Sequence, residues 1–172
     1  GIEKPDKGYI KLDDKILFDS EKKIDIKPKD RNIGYCFQNY ALFPNLTVYE
    51  NIVICLGKPE RADADKFLEK FELTKIKDSK PGKISGGQAA RVAMARILIR
   101  KPKALLFDEA FSALDIYLRD HIQEEIAQIL KDFKGSAIFV SHSRDEVYRL
   151  CDSTMVIDAG KISNLGNTKK IF

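Results

Sequence analysis

A chain of 172 residues, 44% hydrophobic and 33% charged, is long enough for one domain with a real core and too short for two large independent ones. Its 30 basic and 26 acidic residues are interspersed, so the net charge of +4 reads as a solvated surface, with nucleic acid or a lipid surface as lesser alternatives. No apolar run approaches the roughly 20 residues that a bilayer crossing needs. Gly1–Asp6 is no signal peptide, and Cys36, Cys55 and Cys151 sit in apolar settings without C-x-x-C spacing, which predicts reduced core thiols in a cytosolic protein.

In chain order, the turn at Pro5–Gly8 leads into a predicted hairpin of Tyr9–Leu12 and Lys15–Phe18 around Asp13-Asp14. The polar stretch 19–31, with Pro28, predicts a loop, and Ile33–Phe37 a buried strand that ends at Gln38. Thr47 and Glu50 form a capping-box pattern for a helix to about Leu56, before Gly57 and Pro59. A second helix is predicted over 62–73, where Phe67, Leu68, Phe71 and Leu73 recur at helical intervals, and 74–83, with Pro81-Gly82, as a basic loop. Residues 45 to about 100 therefore read as a helical subdomain inserted into an α/β core.

Ser85 and Gln88 form a second capping box around Gly86 and Gly87, leaving bare N–H groups at a helix start, a terminus that attracts anions. Ala104–Phe107 is a short apolar strand that ends in the adjacent carboxylates Asp108 and Glu109, as a buried parallel strand does when its carboxyl end opens onto a site. An amphipathic helix is predicted from Ile116 to Phe133, with Asp115 at its cap. Ala137–Val140 follows as a buried strand, then Ser143 caps a short helix, and 154–157 with 161–163 close the chain as a hairpin. No internal repeat or low-complexity tract is present.

Ile84–Gln88 resembles the signature motif of ATP-binding cassette (ABC) ATPases, Leu105–Glu109 their Walker B strand, and Ser112–Asp115 their D-loop. The resemblance covers essentially the whole chain. It implies a P-loop NTPase-like α/β core with a mostly parallel sheet, a small antiparallel part and the inserted helices. It further implies ATP and Mg²⁺ as cofactors, with Asp108 holding the metal and Glu109 acting as general base on the attacking water. Gln38 matches the Q-loop glutamine that reaches metal and water, His142 the switch histidine at the γ-phosphate, and Asp115 the aspartate that shapes the dimer interface. Ser85, Gly86, Gly87 and Gln88 would close over nucleotide held by a second copy, in a head-to-tail homodimer. Hydrolysis of a nucleoside triphosphate needs this set of charge neutralisation, metal and an oriented water.

Three departures from the family pattern are mild: Ile84 for leucine, Ala89 and Ala90 for glutamines, and Ala110 for proline. The larger one is that no G-x-x-x-x-G-K-[S/T] occurs, so the phosphate-cradling Walker A loop is not among these residues. The expectation is an N-terminally truncated domain, inactive as the 172-residue chain alone. Asn39–Ile52 is closely similar to importer-type subunits, which implies membrane permease partners, a solute-binding protein, and a place in the cytoplasm on the inner face of the membrane. Ser141–Val147 resembles molybdate- or tungstate-importer ATPases, while Tyr40–Pro44 is shared with sulfate, sugar and polyamine importers, so the solute reading leans to molybdate. Nucleic acid is not an expected partner. The alternatives are a soluble ABC ATPase acting on nucleic acid or ribosomes, which predicts a coiled-coil insert, a second cassette or a markedly basic face, and a non-catalytic module.

Overall fold

The computed structural model describes residues 3–56, 63–112 and 114–172. Gly1, Ile2, the predicted break at Gly57 and Pro59, the predicted helix start at Ala62, and Ala113 lie outside them.

The hairpin forms as the alternation predicts, with β1 (Tyr9–Leu12) antiparallel to β2 (Lys15–Asp19) around Asp13, which turns at φ 51°. Residues 19–31 are not wholly loop. Ile24–Asp25 (β3) pairs with Phe18 and Asp19, because Lys23 at φ 54° reverses the chain onto β2. The central sheet is β4 (Ile33–Cys36), β5 (Ala104–Asp108) and β6 (Ser136–Val140), all parallel, with β5 in the middle. Three parallel strands bring their carboxyl ends to one edge, so Gln38, Asp108, Glu109 and His142 all follow strands on the same side.

Among the described residues, six α-helices connect and follow these strands. Thr47 caps α1 (Val48–Val53) with both bonds of the capping box. Next come α2 (Ala64–Lys70), two short 3₁₀ turns at Thr74–Ile76 and Pro81–Lys83, and α3 (Gly86–Leu98). Both early helices are shorter than the periodicity suggests; at the end of α2 the chain turns at Glu72, φ 56°. Helix α4 (Ile116–Lys131) crosses from β5 to β6 with Ile122, Gln123 and Ile126 buried. Ser143 caps α5 (Arg144–Leu150), and the chain closes with the hairpin β7 (Ser153–Asp158) and β8 (Lys161–Asn167) and the short α6 (Thr168–Ile171).

The core lies between α3, the sheet and α4. Ala90, Val92, Ala93, Met94, Ala95 and Ile97 of α3 share one buried cluster with Leu105 and Phe107 of β5. Gly34 allows that approach: a Cβ there would run into Ile97 Cγ2 and come within 2.9 Å of Leu105 Cδ2. Arg91 fastens α3 to its neighbours, forking onto Glu125 of α4 and reaching Glu72 at 2.7 Å.

Two expectations about burial are corrected. β6 was expected to be buried, yet Ile138 and Val140 are 58% and 53% exposed, because among the described residues β6 pairs only with β5 and forms the sheet edge. Of the three thiols, only Cys36 is fully buried; Cys55 lies just beyond α1 and is exposed, and Cys151 is half-buried. No helix among the described residues is long and apolar enough to cross a membrane.

Candidate functional site

The strand edge gathers the acidic residues with Gln38 and His142. Glu109 leaves β5 in the left-handed region, φ 46°, which costs about 1–2 kcal/mol for a side chain with a Cβ. Its N–H donates to Val140 O at 2.9 Å, and this clamp on the neighbouring strand holds the turn. The carboxylate, 29% exposed, thereby meets the more open imidazole of His142, with Oε1 2.9 Å from Nε2. Asp108, one residue earlier, accepts a 2.7 Å hydrogen bond on Oδ2 from the Tyr35 hydroxyl. That bond, assisted by burial, raises the Tyr35 phenol above its ordinary value.

Gln38 joins from β4. Its Nε2 donates to Ser112 Oγ at 3.1 Å, and Ser112 Oγ donates in turn to Glu109 O at 2.8 Å, so Gln38 is coupled to the Glu109 main chain through one hydroxyl. Behind the edge, Glu146 is buried on α5 and accepts from Ser141 Oγ at 2.7 Å, which ties the residues flanking His142 to that helix. Burial raises the Glu146 carboxyl, against the Ser141 hydrogen bond and the Arg119 charge.

The α3 tip is separate. Ser85 Oγ accepts from Gln88 N–H at 3.3 Å and Gln88 Oε1 from Ser85 N–H at 2.9 Å, completing the capping box and leaving exposed Gly86 at the helix start. Asp115 caps α4 by accepting from Leu118 N–H at 3.0 Å. The tip and this cap touch: a Cβ on Gly86 would lie 3.2 Å from Leu114, and one on Gly87 only 2.7 Å from Leu118. Among the described residues no hydrogen bond joins Ser85 or Gln88 to Asp108, Glu109 or His142. One chain thus carries two surfaces: an acid-and-imidazole edge, and an amide-bearing helix start.

No group of three or more histidine, cysteine or carboxylate side chains able to enclose a metal occurs among the described residues. The fit to Mg²⁺ is of another kind. Asp108 offers hard carboxylate oxygens, Tyr35 fixes one of them, and Mg²⁺ is commonly held by one or two carboxylates together with substrate phosphates.

Residues 1–112 match the family model described as ABC transporter. The chain belongs to the ABC transporter family. It is 39% identical to the molybdenum import ATP-binding protein ModC of Paramagnetospirillum magneticum, over all of this chain and 48% of that protein. With the spermidine/putrescine import ATP-binding protein PotA of Roseobacter denitrificans it is 41% identical over 86% of this chain and 42% of the other. The chain therefore spans about half the length of these curated relatives. A dimeric structure of the ATP-binding cassette MJ0796, in a post-hydrolysis state bound to ADP and Pi, superposes with a TM-score of 0.75 at 25% identity, over 97% of this chain and 76% of that one. The α/β architecture is that of the ABC ATPases.

Sequence reasoning missed Tyr35 and Glu146 and gave Ser112 no role of its own. Register carries the signal for Tyr35: it pairs with Leu106, two residues before Asp108, which puts Tyr35 and Asp108 on one face of the sheet.

Proposed function

We propose that this chain is the core of the ATP-binding and ATP-hydrolysing subunit of an ABC importer, working as a head-to-tail homodimer beneath a membrane permease. The Glu109–His142 pair, 2.9 Å apart beside Asp108 at the carboxyl end of a parallel sheet, carries the reading. Glu109 takes the proton of the attacking water, and His142 steadies the Glu109 carboxylate and faces the γ-phosphate. Asp108 would hold Mg²⁺, which would supply positive charge against the phosphates, and Gln38, at the end of the adjacent strand β4, orients the water. Gly86 and Gly87 present N–H groups to the nucleotide of the second copy, framed by Ser85 and Gln88, whose own N–H groups close the capping box, with Asp115 shaping the seam between the copies.

Residues 45–100 form the helical subdomain in this reading, and the segment from Gln38 to Asn51 passes its movement to the permease. The relatives' names support an importer but divide over the solute, since one set concerns molybdenum and another spermidine and putrescine. Molybdate or a related oxyanion, delivered by a solute-binding protein, is the solute we propose, on the likeness to the molybdenum importer.

The deciding experiment is Glu109→Gln in the full-length protein. ATP binding should persist while turnover falls at least about 100-fold, the scale of a lost general base, and a nucleotide-locked dimer should accumulate. Wild-type steady-state hydrolysis by this variant would remove Glu109 from its role.

A further inference from the structure

The loop after β4 is held in an unusual shape. Tyr40 and Ala41 both lie in the left-handed region, at φ 59° and 44°, although neither is glycine. Tyr40 is buried with no hydrogen-bond partner for its hydroxyl among the described residues, so that side chain adds no polar hold of its own. Within the loop, Phe37 O accepts from Tyr40 N–H at 2.9 Å and Asn39 Oδ1 from Ala41 N–H at 3.2 Å, and contacts from outside the loop add to these. Arg96, on α3, donates to Tyr40 O at 2.7 Å and to Ala41 O at 2.9 Å, bridging the two left-handed residues with one guanidinium. Its Cζ lies 5.8 Å from the centroid of the Phe43 ring. Further along, the buried side chain of Asn51 accepts from Phe43 N–H at 2.8 Å and donates to the carbonyls of Phe43, Leu46 and Thr47.

Asn51 belongs to α1 and pins only the far half of this loop. Arg96 pins the near half, two residues from Gln38, and it does so from the helix that begins at Gly86. A planar fork suits two successive carbonyls, whereas an ammonium is a single point of charge.

We infer that Arg96 is a positioning residue that holds the Gln38–Phe43 loop in its working shape and ties it to the α3 tip, so that the water-orienting loop and the tip move as one body. The inference rests on the proposed roles of Gln38 and of the tip. Among the described residues no hydrogen bond or ion pair joins Arg96 to Glu109 or His142; its influence reaches the reaction through the loop backbone.

The test pairs hydrogen exchange with steady-state kinetics on the full-length protein carrying Arg96→Gln or Arg96→Lys. In Arg96→Gln, amides 40–43 should exchange at least tenfold faster while α3 amides 92–95 keep their protection, and kcat should fall at least tenfold with KM for ATP within twofold. Arg96→Lys should recover part of both effects. Wild-type exchange over 40–43, wild-type kcat, or loss of protection in α3 as large as that in the loop overturns the inference. If Arg96→Gln does not fold, Arg96→Lys carries the decision: exchange over 40–43 must rise at least threefold, and an unchanged rate overturns the inference. The exchange measurement needs no hydrolysis, so it stands apart from the Glu109→Gln test. Turnover by Glu109→Gln would discard the catalytic reading and leave the loop result intact.

Discussion

At the α3 tip the hydrogen bonds span three residues, Ser85 and Gln88 exchanging backbone and side-chain donors. At the strand edge they span the chain: Tyr35 reaches Asp108 across 73 positions and Gln38 reaches Ser112 across 74. The tip assembles from its own neighbours and persists wherever α3 is helical. The edge exists only when β4, β5 and β6 are in register, and one of its members, Glu109, is strained by its backbone. Local capping makes a surface that needs only its own helix, while long-range assembly makes one whose geometry depends on the whole sheet.

The largest expected effect breaks the edge alone. His142→Ala in the full-length protein should cut kcat about 100-fold or more without loss of stability, because the imidazole is largely exposed and its removal leaves no cavity. A kcat within twofold of wild type would contradict the pairing with Glu109. Next comes the packing of α3 on the sheet that carries the edge: Gly34→Ala forces a methyl into Ile97 and Leu105 and should cost about 1–3 kcal/mol in urea unfolding, an overpacking penalty. Adding Ile97→Ala, which removes the Cγ2 that the new methyl meets, should return part of it, and full additivity of the two changes would show that they do not touch.

Smaller still, Ser85→Ala removes one cap and should cost about 1 kcal/mol, and Tyr35→Phe a similar amount through the lost bond to Asp108. The double variant should be additive within about 0.5 kcal/mol if tip and edge are independent, and a larger coupling would merge them.

What the sequence made legible follows the same division. Thr47–Glu50, Ser85–Gln88, Asp115 and Ser143 were readable as caps because each partner lies within three residues. The two-residue strand Ile24–Asp25 was hidden, since only its pairing with β2 makes it a strand. Tyr35, Ser112 and Arg96 were hidden for the same reason: their partners are distant along the chain, and no local pattern names them. The strand β6 was legible as a strand from its apolar run, but exposure depends on what stands beside it, and on that the run says nothing.

The smallest effect concerns pH behind the edge. Burial raises the Glu146 carboxyl above its ordinary 4.5, so the folded state holds this proton more tightly than the unfolded chain does. The contribution to stability is full below that ordinary value and is lost as the pH rises through the raised folded value. Ser141, Arg119 and Glu109 face the group, and Glu146→Gln should flatten this part of the profile of unfolding free energy against pH. A profile identical to wild type would show that Glu146 titrates alike in both states.

The sharpest test mixes two inactive copies of the full-length protein, one carrying Ser85→Arg at the tip and the other Glu109→Gln at the edge. In a shared-site dimer, the tip of the Glu109→Gln copy meets the intact edge of the Ser85→Arg copy, so an equimolar mixture should regain about a quarter of the wild-type rate, half the dimers being mixed with one whole site each. A mixture that stays as inactive as its parents, with mixed dimers verified, would contradict a site built from one copy's tip and the other's edge.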